Sequence, residues 1–114
     1  MTKVECIVKA MNDKLAQDIV AINMENASPL YETFVLCTAS NMRLLDAIQD
    51  NVVDQCELNG YSVKSIEGKG NSEWVLIDLG DVVCHIFTKE ARAEYNLEKL
   101  WSDMPRINIE EYLA

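Results

Sequence analysis

Apolar residues recur at two different periods along this chain, and the switches between them mark out its elements. Val4, Ile7, Val8, Met11 and Leu15 share one face at helical spacing. Thr2 and Glu5 frame that stretch as a capping box, the hydroxyl accepting from the Glu5 amide and the carboxylate reaching back. This helix is expected to cover a sheet. Two runs follow that are too continuously apolar for exposed strands, Asp18 to Ile22 and Thr33 to Cys37. Both read as interior strands buried on both faces, joined by turn formers from Asn26 to Leu30. Ser40 can cap the next helix. Its buried stripe is Leu45, Ile48, Val52 and Cys56, widened by Leu44 and Val53, with Asp46, Gln49, Asp50 and Asp54 towards the other side. Asn59-Gly60 ends it, the glycine supplying a left-handed cap. Tyr61 to Ile66 reads as a third strand, and the strand-helix-strand order predicts that it runs parallel to the second.

Gly68-Lys69-Gly70-Asn71 reads as a flexible turn. It lacks the G-x-x-x-x-G-K-[ST] pattern and opens no helix, so it is not a phosphate loop. Beyond it the period returns to two. Glu73 to Leu79 and Val82 to Phe87 flank Gly80-Asp81, which predicts a β-hairpin. Thr88 caps a helix holding Ala91 and Tyr95; Leu97, Leu100 and Trp101 supply a further apolar face, and Pro105 stops it. Asn108 to Glu111 can cap a short final turn, from which Ile109, Tyr112 and Leu113 can dock back. The predicted order is α-β-β-α-β-β-β-α: a single α/β domain with a mixed five-stranded sheet flanked by helices, a core over about 4–101 and a tail over 102–114.

Composition narrows the function classes. At 114 residues, 49% hydrophobic and 25% charged, the chain has the make-up of a globular domain. No apolar run approaches the ~20 residues that span a bilayer, and no secretory signal pattern is present. A cytoplasmic protein is expected. Ten basic against 19 acidic side chains give a net charge of −9. Phosphate repels such a chain, which argues against direct nucleic-acid or membrane binding and favours a basic protein partner. Simple solubility explains the same charge. The four cysteines, Cys6, Cys37, Cys56 and Cys84, show no C-x-x-C spacing and read as buried, reduced thiols. His85 is the single histidine, which excludes a multi-histidine metal site.

Polar groups gather among apolar ones between Glu73 and Trp101: Asp78, Asp81, His85, Arg92, Tyr95 and Glu98. A carboxylate orienting an imidazole is a general-base arrangement, but no nucleophile sits in a recognisable elbow. Cys84 and His85 are adjacent on a strand and point to opposite faces. A structural or partner-facing histidine is the better reading. Alternation puts Trp74, Leu76 and Asp78 on one face and Val75 and Ile77 on the other. An aspartate suits an open face, which makes Trp74 an interface anchor; burial under a helix is the other reading. Trp101, with Leu97 and Leu100, fits a helix-to-sheet contact, while Arg92 and Glu98 are either solvated or paired.

One ordered set of residues resembles a known family. Glu67-Gly68, Trp74-Val75-Leu76-Ile77-Asp78, Gly80-Asp81-Val82-Val83, His85-Ile86-Phe87, Arg92, Tyr95 and Leu97-Glu98-Lys99-Leu100-Trp101 are similar to the signature of the ribosomal silencing factor family, also called Iojap-like. The similarity runs roughly from Val4 to Trp101. It implies a nucleotidyltransferase-like fold without catalysis. It also implies a translation repressor that binds the large ribosomal subunit through its basic fourteenth protein and blocks small-subunit joining. No cofactor is implied, and a homodimer is implied for the free state. Carried over by motif, the partner-binding residues would be Glu67, Trp74, Leu76, Asp78, Asp81 and His85, with Arg92, Tyr95 and Glu98 serving either the partner or the fold. The chain departs from the pattern at Thr38-Ala39-Ser40-Asn41, where the family has a Thr-Gly-x-Ser type of turn. It departs again at Glu32-Thr33-Phe34 for Asp-Tyr-Phe and at Leu79 for an aromatic. Nucleotidyltransferases carry a Gly-Ser turn and paired aspartates that hold magnesium. Neither occurs here, which makes a nucleotide- and magnesium-binding enzyme the weaker alternative.

Overall fold

A computed structural model describes residues 1–68 and 72–113. Its elements are α1 (Lys3–Asp13), β1 (Gln17–Asn23), β2 (Thr33–Ala39), α2 (Met42–Leu58), β3 (Ser65–Glu67), β4 (Trp74–Asp78), β5 (Val82–Thr88), α3 (Lys89–Tyr95), α4 (Leu97–Leu100) and β6 (Arg106–Ile107), closed by a 3₁₀ turn, Glu110–Leu113. The strands form one mixed sheet in the order β3-β4-β5-β2-β1-β6. The sheet therefore has six strands rather than the five expected. The extra one is the two-residue β6, whose Ile107 and Arg106 pair with Ala21 and Ile22 of β1. Two residues are too short for a periodicity signal, so pattern reading passes over such a strand.

β2 and β5 pair in parallel at the centre, and β4 pairs antiparallel to β5 through the expected hairpin. Gly80 takes φ +96 in its two-residue loop, as tight hairpin turns require. β3 pairs antiparallel to β4 and so points the same way as β2, as expected, although β4 and β5 lie between them. Of the expected Tyr61–Ile66 strand only Ser65 and Ile66 fall in β3, which runs on to Glu67.

The two sheet faces are covered differently. On one, Val35, Cys37, Val75, Ile77, Cys84 and Ile86 form a core with Ile7, Val8 and Met11 of α1 and Leu45, Ile48, Val52 and Cys56 of α2. On the other, Ile22, Met24, Leu36, Phe87 and Ala91 form a smaller core, capped by Leu97, Trp101 and Met104. Trp101 and Leu97 therefore pack as expected, whereas Leu100 is 64% exposed.

Several local expectations are corrected. Asn41, not Ser40, caps α2; its side chain accepts from the Leu44 amide at 2.8 Å. Gln49 is buried on α2 rather than on the polar side, since the buried stripe is wider than its apolar members. Leu15 lies past the end of α1, 70% exposed at φ +64. Thr2 does accept from the Glu5 amide, but the Glu5 carboxylate pairs with Lys9 at 3.2 Å. Of β1, only Ala21 and Ile22 are buried; its first half carries a bulge, with Asp18 at φ +50. The Thr88-capped helix breaks at Asn96, which turns left-handed at φ +46 and caps α4 through Lys99. Most of the expected flexible turn, from Lys69 to Asn71, lies outside the described residues.

Candidate functional site

The second sheet face is covered over only part of its width. Sheet register sets Trp74, Leu76 and Asp78 of β4 opposite Phe87, His85 and Val83 of β5, with Glu67 and Ser65 of β3 outside them. Parallel pairing with β2 adds Phe34 and Leu36. α3, α4 and Trp101 cover the Phe87–Leu36–Ile22 side. On the rest, Trp74, Leu76, Asp78 and Phe34 are half-buried and Glu67 is exposed. The expected split of β4 holds: Val75 and Ile77 are fully buried on the opposite face. Both readings of Trp74 contain part of the truth, because one side of its indole packs on the smaller core while the residue stays half-buried.

Aromatic rings run across this area. Centroid separations are 5.9 Å for Tyr31–Phe34, 4.8 Å for Phe34–His85, 5.2 Å for Trp74–Phe87 and 4.7 Å for Trp74–Tyr95. Tyr95, 51% exposed, ends the row on α3. Tyr31 and Phe34 were not among the expected site residues. Alternation along β2 puts Phe34 on the same face as Leu36, but only the β2–β5 pairing brings it beside His85.

His85 sits beneath this row, 4% exposed. The Trp74 indole N–H donates to its Nδ1 at 3.1 Å. Burial lowers its pKa from 6.5 to about 4, so the imidazole is neutral at pH 7. Among the described residues its buried Nε2 has no hydrogen-bond partner. Cys84 belongs to the opposite core, and burial pushes the Cys37 and Cys56 thiols up to about 12. A thiol held protonated is a poor nucleophile.

Asp78, Asp81 and Glu98 have structural partners. Asp78 Oδ1 accepts from the Gly80 amide at 2.8 Å and shapes the hairpin turn. Asp81 pairs with Lys3 at 2.6 Å, and Lys3 also donates to the Leu79 carbonyl, tying α1 to that turn. The Lys3 ammonium holds Asp81 below the usual carboxylate range. Arg92 and Glu98 pair at 2.8 Å with the Arg92 side chain only 12% exposed, and the guanidinium lowers the Glu98 pKa. Arg92 also donates to Thr38 Oγ1 and the Asp18 carbonyl, joining α3 to β1 and β2.

A shallow polar cleft of about 380 Å³ lies beside these groups, lined by Asp18, Thr38, Lys89, Arg92, Ala93, Asn96 and Glu98. It sits at the carboxyl ends of the parallel β2 and β5, where α/β sheets commonly take ligands. Its arginine is already engaged and two carboxylates line it, a poor setting for phosphate. Among the described residues, no group of three His, Cys, Asp or Glu side chains could hold a metal ion.

This face carries part of the residue set that resembles a family signature, and whole-chain comparison decides the matter. The family model described as "Ribosomal silencing factor during starvation" matches residues 1–114. The chain belongs to the ribosomal silencing factor family. It is 44% identical to "Ribosomal silencing factor RsfS" of Bacillus subtilis, over 89% of this chain and 86% of that one. It is 34% identical to the chloroplastic Iojap protein of Zea mays, over 90% of this chain and 45% of that one. A crystal structure from Bacillus halodurans superposes with TM-score 0.82 at 39% identity, covering 92% of this chain and 95% of that one. One from Chromobacterium violaceum gives 0.84 at 28% identity, covering 90% and 88%. Family members thus share the sheet that presents this half-covered face.

Proposed function

We propose that this silencing factor represses translation by steric occlusion, docking the uncovered part of its second sheet face on the large ribosomal subunit. The contact would be the subunit's basic fourteenth protein, and the bound chain would block small-subunit joining in the cytoplasm. The observation that carries this reading is the half-covered strip of Phe34, Trp74, Leu76 and Tyr95, edged by Glu67 and Asp78, on a chain of net charge −9. Aromatic anchors ringed by polar groups are the usual make-up of a binding hot spot. The acidic whole suits a basic partner. A mouse relative, 31% identical over 87% of this chain, is named "Mitochondrial assembly of ribosomal large subunit protein 1", which supports the choice of subunit. Occlusion needs no catalytic group or cofactor. In the free protein the same strip is available to a second copy, giving a homodimer that separates on the ribosome.

Cosedimentation with isolated large subunits, followed by addition of small subunits, tests this. The wild-type chain is expected to pellet with large subunits and reduce joined ribosomes. Leu76→Ala and Glu67→Lys should weaken pelleting about tenfold or more, as loss of hot-spot contacts does. Asp50→Ala, on the exposed side of α2, should leave it unchanged. Binding that ignores both substitutions would move the site elsewhere, and no binding at low salt would sink the reading.

A further inference from the structure

His85 is an anomaly on this face: its polar nitrogen is buried and unpaired. Most buried polar atoms have a partner, and an orphan calls for a reason. Hydrogen-bond chemistry identifies which nitrogen carries the proton. Trp74 Nε1–H is a donor only, and it points at His85 Nδ1 from 3.1 Å. Nδ1 must therefore be the acceptor, so the neutral ring holds its single proton on Nε2. That Nε2–H is the atom left without a partner among the described residues. The Phe34 ring, 4.8 Å away and tilted by 61°, offers it at most a π contact, a weak substitute. The neighbours of His85 towards the uncovered strip are Phe34, in ring contact with it, and Leu76, directly opposite it in the sheet; both are half-buried.

We propose that His85 Nε2–H is a donor reserved for a main-chain carbonyl of the docked partner, which reaches it when Leu76 or Phe34 turns aside. This rests on the docking reading above and adds the chemistry of one contact. The other polar groups edging the strip, Glu67 and Asp78, are acceptors and suit lysine or arginine. His85 has the opposite polarity, so the partner must present an oxygen there. On a basic protein, main-chain carbonyls are the acceptors always at hand. The contact makes recognition depend on backbone shape as well as on charge, and a basic surface without a carbonyl at this point leaves the donor unpaired.

With one histidine in the chain, imidazole ¹⁵N spectra of labelled protein contain a single residue's signals. The free protein should show a protonated Nε2 and an unprotonated Nδ1. Adding the purified basic large-subunit protein should move the Nε2 proton downfield, as formation of a hydrogen bond to oxygen does. His85→Phe keeps a ring and removes the donor; its affinity should fall about tenfold, the size of one buried hydrogen bond. A proton on Nδ1 in the free protein overturns the proposal. So does a complex that forms, with backbone amide signals shifting, while Nε2–H stays where it was and His85→Phe binds as well as wild type. No amide shifts at saturating partner would fail the docking reading itself, and this proposal with it.

Discussion

At the scale of the residue, His85 and Trp74 form one unit. Desolvation opposes a charge on the ring, and the Trp74 N–H occupies the nitrogen that protonation would need. This has a consequence for stability. The folded pKa is depressed from 6.5 to about 4, so the unfolded chain binds more protons between those values. Stability is therefore fully present above pH 6.5 and is lost as pH falls through about 4. At 1.36 kcal/mol per unit, the loss amounts to about 3 kcal/mol. The carboxylates held low by Lys3 and Arg92, Asp81 and Glu98, also lose stability in acid, but only at and below the usual carboxylate range. The interval from pH 6.5 to 5 thus reports mainly on His85. Urea midpoints should fall steadily across it for the wild type and stay nearly level for His85→Phe. Equal slopes in the two proteins would show that the ring is not the titrating group. The sequence places His85 on a strand beside a cysteine. Its pairing with Trp74 depends on the β4–β5 register, which no local pattern states.

At the scale of the element, the chain's choice of caps is the sharpest discrepancy. Ser40-Asn41 offers two adjacent capping residues for α2, and propensity ranks them nearly alike. Asn41 takes the position with an extended backbone, its side chain 2.8 Å from the Leu44 amide. The reason lies upstream: β2 continues to Ala39 in register with Thr88 of β5, which delays the helix start. Asn41→Ala should cost about 1 kcal/mol in urea unfolding, and Ser40→Ala within about 0.5 kcal/mol of nothing. Equal losses would mean the two residues share the cap. Legibility follows the same logic elsewhere. The α2 stripe and the β4–β5 hairpin were readable because each is specified within its own span. The break at Asn96 was not, because the continuing apolar residues Leu97, Leu100 and Trp101 look like one helix until the left-handed turn re-aims them. β6 was invisible because two residues gain their meaning only from β1 beside them.

At the scale of the whole molecule, the sheet divides the protein into a side that holds the fold and a side that is only half closed. All four cysteines, α1 and α2 belong to the first. The half-covered strip belongs to the second, and alternation within β4 was enough to group Trp74, Leu76 and Asp78 on one face, though not to say how far that face is covered. Phe34 of β2 and Tyr31 just before that strand lie about forty residues earlier in the chain and needed the fold. Charge acts over this whole arrangement. At net −9, attraction to a basic partner operates before contact, while the strip that makes the contact is largely aromatic and aliphatic. The two contributions separate in kinetics. Salt shortens the Debye length from about 10 Å at 0.1 M to about 3 Å at 1 M, which removes steering but leaves apolar contact intact. In stopped-flow mixing with the purified basic large-subunit protein, the association rate should therefore fall at least about tenfold between 50 mM and 500 mM salt. The dissociation rate should change by less than about threefold, since the contacts that hold the complex are short-ranged and desolvated. The reverse result, a steady association rate with dissociation accelerated by salt, would mean that ion pairs rather than the aromatic strip hold the partner.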